Sequence, residues 1–495
     1  MSHPALRRRP HRRSRVAALL LVAALAASSA ACVRDESRSG ATAGGGGKTT
    51  QSNLPDCPLA ALDKAEGTVE IDVWYALVGE TEIYLKDLAA KFNASQDKVK
   101  VNVRSQGQAH AEVLRKYTAG IPSGQLPDIA LLEDTTLREV VDTGTLLPAE
   151  ACEKADGFST GQLPVVRNYY SANGVYWPGY TNVSEPILYY NAEQFRAAGL
   201  DPEEPPETLD EVREVAEALK SEAGVSQPVA QVLNEWFVEC WITGAGESVI
   251  NKGNGRKGLA DKATFDNPVT HELYEWLQGM SEDGLLEGYS STDGQINHYL
   301  AVAQKNSAMA IETSTASTTI KAVLGGTEYE GEGVPSADID GDGIDVMAGP
   351  FPGIERPAQV RVSGAAFFMS NTGKPEEQAA AWEFMKYMWS TEAQVGWHVA
   401  GSYLPTTQAA ASTPEVAEYW EGDLAGRMLK VGYDELVDVD PDNPGPQVGP
   451  YTDYRDAIRN SLDRLILKGD SVDDVIADAQ QEIQDALTRY IEDNG

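Results

Sequence analysis

The chain has 495 residues, 75 acids against 40 lysines and arginines, a formal charge of −35 and only four cysteines. That length exceeds one ordinary core and suits two lobes, and so acidic a surface repels nucleic acid and anionic lipid. Six of the arginines lie ahead of residue 32 with no acid beside them, so removing that leader would bring the chain near −41.

Arg7, Arg8, Arg9, Arg12, Arg13 and Arg15 form a positive n-region, and Val16 to Ala27 an apolar stretch too short to span a bilayer. Ser28-Ser29-Ala30-Ala31-Cys32 places small residues before a cysteine that can accept a diacylglyceryl group. Residues 1–31 therefore read as a lipoprotein signal peptide. Residues 32–56, rich in Gly, Ser and Thr, read as a flexible tether to the outer face of a membrane. Of the remaining cysteines, Cys57 opens the folded region and Cys152 falls in a loop-like stretch, which favours their pairing outside the cytoplasm. Cys240, between Trp236, Phe237 and Trp241, reads as a buried thiol; spacing alone does not fix the pairing.

Val69 to Tyr75 alternates apolar and acidic residues, as a half-buried strand does. Tyr84, Leu85, Leu88 and Phe92 recur at helical spacing, and Val99, Val101 and Val103 alternate again. A helix over 111–119 and a short strand over 128–132 complete a strand–helix pattern that predicts a layered α/β lobe with a largely parallel sheet. From Asn191 the texture turns helical. A capping box at Thr208 to Glu211 opens a stripe of Val212, Val215, Ala216 and Leu219. Further amphipathic helices are expected at 273–280, 382–389 and 471–491, with no solenoid repeat.

Motifs for covalent chemistry are missing. His110, His271, His298 and His398 make no HExxH pair, and no GxSxG elbow, Walker loop or GxGxxG fingerprint occurs. Asp338, Asp340 and Asp342, with Gly341 and Gly343, match the first half of a calcium loop. Gly349 stands where the distal bidentate Glu belongs, and Asp345 is the nearest substitute. The expectation is no cofactor, with a structural calcium at Asp338 to Asp345 as the one candidate and an acidic turn before a strand at 344–347 as the plain alternative.

Ala89-Ala90-Lys91-Phe92-Asn93, Leu126-Pro127-Asp128-Ile129, Pro186 to Asn191, Ala198 to Pro202 with Pro205 to Thr208, Ser363-Gly364-Ala365-Ala366 and Tyr403-Leu404-Pro405 follow in a specific order. In that order the chain, from about Gly67 to its end, resembles family 1 solute-binding proteins of ATP-binding-cassette importers, most closely the glycerol-3-phosphate and glycerophosphodiester binders. The resemblance implies an α/β, two-lobed type II clamp with an interlobe cleft and a double crossover. It implies a first lobe of 57–186 and 308–370 and a second of 187–307 and 371–495.

The resemblance also implies ligand-binding positions: Glu133 as an acid for hydroxyls, Ser184 and Ser314, Gly364 by its backbone, and Tyr403. Trp236 and Trp241 fall where relatives place stacking tryptophans, with Trp177 and Tyr180 as further candidates. Trp382, Trp389 and Trp397 read as core. Two positions depart from the family. His110 stands for a tyrosine, and Gln447 for an arginine that grips phosphate, a loss that Arg361 or Arg455 would have to cover. A fork-shaped cation binds phosphate bidentately and Gln does not, so the expected ligand is a neutral sugar or oligosaccharide. A glycerol-3-phosphate or glycerophosphodiester receptor is the alternative, and a secreted carbohydrate-active enzyme or lectin the rival of another class. The implied molecule is a monomer, not an enzyme. It is anchored through Cys32 and hands a sugar or polyol to permease subunits powered by a separate ATPase.

Overall fold

The computed structural model describes residues 49–291, 297–324, 344–355, 359 and 362–494. Cys32, Arg361 and three of the four calcium-loop positions, Asp338, Asp340 and Asp342, lie outside them.

The first lobe is built on six strands. They are β1 (Val69–Tyr75), β2 (Val99–Ser105), β3 (Ile129–Glu133), β4 (Leu146–Leu147), and, later in the chain, Tyr180–Ser184 and Ser363–Ser370. β1 is buried at alternate residues, and it pairs in parallel with β2 and β3. A two-residue hairpin, β5 (Ser171–Ala172) with β6 (Val175–Tyr176), stands apart, so Tyr180–Ser184 is β7. The helix Pro375–Met388 packs on β1, and the helix Thr391–Gly401 on Gly79–Ser95.

The second sheet contains β8 (Pro186–Asn191), β9 (Val229–Leu233), β10 (Leu286–Ser290), β11 (Met309–Thr313) and β12 (Val346–Gly349), in the order β10-β9-β11-β8-β12. Ser363–Ser370 is then β13, which runs antiparallel to β3, β4 and β7. The helix Leu209–Glu222 starts at the expected box, in which Thr208 accepts the Glu211 N–H and Glu211 accepts the Thr208 N–H. The helices Pro268–Glu282, Tyr451–Asp463 and Val472–Asn494 pack together on this side.

These pairings correct the lobe boundaries. The chain passes from the first sheet to the second at Glu185, but β11 and β12 stay in the second sheet, so the return comes between Gly349 and Ser363 and not at 308. The third crossing is not at 371: the helices up to Gly401 still serve the first lobe, and the helix Leu424–Asp438 packs against β12. Alternating Met309, Ile311 and Thr313 would suit either sheet, because a period of two states burial without naming a partner strand.

Cys57 and Cys152 are joined, with their Cα atoms 5.0 Å apart. Cys152 sits inside the helix Ala149–Asp156 rather than a loop, and Cys240 is buried.

Candidate functional site

The carboxyl ends of β3 in the first sheet and β9 in the second lie near each other, because Arg455 bonds both Glu133 and Glu235. Such ends of open α/β sheets leave backbone groups and loop residues free to meet a ligand. Glu133 ends β3. Register places Ala365 opposite Glu133, Gly364 opposite Val183 and Ser363 opposite Ser184. The Leu404 N–H donates to Val183 O, which brings Tyr403 to the same edge. Glu133, Ser184, Gly364 and Tyr403 thus converge from four separated segments.

Gly364 is required by its geometry. Its φ is +133°, and a Cβ there would lie 2.2 Å from Asn182 O. Its N–H donates to Asp134 Oδ1 at 3.2 Å, and the Tyr169 hydroxyl donates to Asp134 Oδ2. Tyr170 donates to Asn182 O at 3.4 Å, and Tyr403 stacks on Trp397 with ring centroids 6.2 Å apart. Burial, with the Asp134 charge adding to it, pushes the Tyr403 phenol up to about 12, so its proton stays on to donate.

The second lobe answers with charge. Asn234 caps the helix Glu235–Gly244, which sets buried Glu235 at its first turn beside half-buried Trp236. Arg455, on the helix Tyr451–Asp463, donates Nε to Glu235 Oε1 at 2.8 Å and a terminal N–H to Glu133 Oε1 at 3.1 Å across the crevice. The Arg455 guanidinium loses stability to burial, but Glu133 and Glu235 more than restore it and hold the charge on. At the edge of this group His110 begins the helix His110–Gly120. Burial lowers its pKa against the opposing pull of Glu133, which keeps the imidazole neutral, and its Nδ1 has no partner among the described residues. The Trp236 indole N–H is likewise buried and unpartnered among them. His110 lies within reach of the Glu133 charge, and Trp236 follows Glu235 in the same helix turn; unspent groups of this kind are what hydroxyls pair with.

Other expected positions lie elsewhere. Ser314 is wholly buried at the crossing, where its Oγ accepts the Glu185 N–H and its own N–H donates to Glu185 O, so it braces the hinge. Trp177 is core, its indole donating to Ala172 O. Tyr180 packs between Trp389 and Phe367. Trp241 stacks on Phe351 and donates to Pro352 O, away from Glu133. Trp382, Trp389 and Trp397 are buried as expected. Gln447 donates its amide N–H to Ser171 O at 2.6 Å, and its Oε1 is buried without a partner among the described residues. Asp345 forms an exposed ion pair with Arg196 at 2.7 Å, and no cluster among the described residues could hold a metal.

Asp134, Tyr169, Glu235 and the bridging role of Arg455 escape the sequence. The one available signal is position: Asp134 follows the acid that ends β3, and Glu235 follows an Asn that reads as a helix cap after β9.

Residues 87–423 match the model of a family described as bacterial extracellular solute-binding protein. The chain belongs to that family. This solute-binding protein is 24% identical over 376 residues to the sn-glycerol-3-phosphate-binding periplasmic protein UgpB of Yersinia pestis, covering 74% of this chain and 81% of that one. It is 25% identical to the UgpB of Rhizobium meliloti, over 72% of this chain and 80% of that one. Among solved structures, the sugar-binding protein MalE from Xanthomonas citri superposes with a TM-score of 0.70 at 18% identity, covering 86% of this chain and all of that one. UgpB from Mycobacterium tuberculosis in complex with glycerophosphocholine gives 0.69 at 19% identity over the same shares. The two-lobed α/β fold is shared with both solved structures.

Proposed function

We propose that this solute-binding protein of an ATP-binding-cassette importer captures a neutral sugar or short oligosaccharide between its lobes. The observation that carries the reading is Arg455 held between Glu133 and Glu235. A phosphate dianion needs a cation whose charge is not already answered, and here two carboxylates answer one guanidinium. A hydroxyl fits the same group: it donates to the second oxygen of Glu133 and accepts one of the Arg455 N–H bonds not used in the two contacts above. Trp236 offers a ring for a sugar C–H face, and Gln447, tied to Ser171, adds no positive charge.

The glycerophosphodiester reading is favoured by the UgpB relatives, named as glycerol-3-phosphate-binding proteins, and by the solved UgpB with glycerophosphocholine. Titration calorimetry of leader-free protein separates the two. Maltose, maltotriose and trehalose stand against glycerol-3-phosphate and glycerophosphocholine. A sugar should bind with little dependence on salt, and Glu133→Gln should weaken it about tenfold or more, the worth of a hydrogen bond to a charged group. Binding by the phosphate compounds alone overturns the sugar reading.

In the same reading the protein performs no covalent step, acts as a monomer and is anchored by a lipid on Cys32. Recovery of the bound sugar unchanged supports the first. Release of Cys32→Ser protein from cells that retain the native form supports the last. No calcium is proposed for the binding reaction.

A further inference from the structure

Next to the solute groups, starting at Tyr169, whose hydroxyl holds Asp134, the lobes meet along a second line of contacts. Arg256, in the second lobe, donates Nη1 to the carbonyls of Tyr169 at 2.8 Å and of Asn168 and Ser171 at 3.2 Å, all in the first lobe. Its Nε and Nη2 hold Gly445 O and Pro444 O in its own lobe, at 2.8 and 3.0 Å. Gln447 donates to Ser171 O, and Asn168 donates to Pro441 O at 2.8 Å. Farther along, the Tyr490 hydroxyl of the last helix donates to Asp142 Oδ2 at 2.8 Å. Asp142 is fixed there by Arg138, whose Nε and Nη2 approach it at 2.9 and 2.6 Å.

Two glycines keep the second lobe's own side of the seam close-packed. A Cβ on Gly255, where φ is +76°, would lie 2.3 Å from Gln447 O, and one on Gly449 would lie 2.3 Å from the Tyr490 ring. The seam is tight: between Asp134, Arg138, Tyr169, Arg256 and Gln447 there remains a void of about 10 Å³. Burial lowers the Arg256 guanidinium to about 10, so its charge persists at neutral pH, set against carbonyl acceptors and 5.5 Å over the Tyr169 ring.

We propose that Arg256, Gln447 and Tyr490 form a latch that favours the closed arrangement of the lobes by contacts of its own. Apart from Arg256 at Tyr169, its bonds engage none of the solute groups, so most of its contribution adds to whatever a solute supplies. A latch of this kind raises the fraction of binding-competent protein and with it the apparent affinity for every solute equally. Opening then requires these bonds to exchange for water, which gives a membrane partner something to act on besides the solute.

The test uses leader-free protein with no solute added and does not depend on the sugar reading. Dyes at Lys91→Cys and Glu482→Cys, exposed and one on each lobe, report the interlobe distance, with small-angle scattering on undyed protein beside it. Arg256→Lys and Tyr490→Phe should each shift both readouts toward the open form. Each should lower the closed-to-open ratio about tenfold, the equivalent of one charge-assisted bond. Tyr490→Phe removes one hydroxyl at the edge of the last helix, so it decides the matter if Arg256→Lys fails to fold. Unchanged energy transfer and scattering in folded Tyr490→Phe protein overturns the latch.

Discussion

Gly364→Ala tests how closely strands and solute edge are fitted. The new methyl meets a backbone carbonyl that cannot swing away, at a φ that L-residues avoid. A loss of about 3 kcal/mol is expected, read as a lower urea midpoint, and the displaced Asp134 contact should weaken solute binding as well. His398 offers a second residue-scale test. Its Nδ1 donates to Tyr403 O at 2.8 Å, and its Nε2 accepts the Trp420 indole N–H at 2.8 Å. Burial, against the opposing pull of the Tyr403 carbonyl, holds the imidazole down at about 4. The unfolded chain binds a proton below about 6.5 that the folded one refuses until about 4, so stability from His398 falls as pH drops through that window. The span corresponds to about 3 kcal/mol. Asp128 opposes it. Burial raises its carboxyl to about 6, so between about 4 and 6 the folded state takes the proton first and gains stability as pH drops. Asp128→Asn should therefore show a steeper loss of stability from pH 6.5 to 4 than the native protein does, measured by denaturant midpoints across that range. A shallower slope would mean that Asp128 is ionised in the fold.

At the scale of elements, the disulfide closes a loop of 95 residues between the segment before β1 and the helix Ala149–Asp156. Cross-links over loops of that length restrict the unfolded chain, and the Cys57→Ser, Cys152→Ser protein should lose about 2–5 kcal/mol. Thermal unfolding with and without reductant checks it: native protein should fall to the level of the variant when reduced, and the variant should not respond. Elements with a strong period are legible in the chain. The alternation of Val69 to Tyr75 and the stripe of Val472, Val475, Ile476, Ala479, Ile483 and Leu487 fall in a strand and a helix with those burial patterns. The assignment of β11 and β12 to a sheet is not legible, because pairing is set by crossings dozens of residues away. The same blindness governs the rings. Trp177, Tyr180 and Trp241 stand in the sequence no differently from Trp236, and it is their packing against Ala172, Trp389 and Phe351 that marks them as core. Arg455 fails for a related reason: a helix-face arginine becomes a crevice cation only when the other lobe brings Glu133 to it.

Over the whole molecule, one contiguous apolar cluster contains Val73 and Phe367 of the first lobe and Leu233 and Ile483 of the second. Shared core, a three-stranded crossing and the Arg256 seam all couple the lobes, so residues 49–494 should unfold in a single thermal transition. A solute gripped by both lobes must then stabilise the whole unit. At a hundred times its dissociation constant the gain is about 2.7 kcal/mol, and with an unfolding entropy of about 2.1 cal/mol/K per residue over roughly 450 residues the midpoint rises about 3 °C. Scanning calorimetry with a sugar that binds in titration should show that one peak moving intact. Two resolved peaks, of which the sugar moves only one, would mean that the solute is held by a single lobe and that Glu133 and Glu235 do not act on it together.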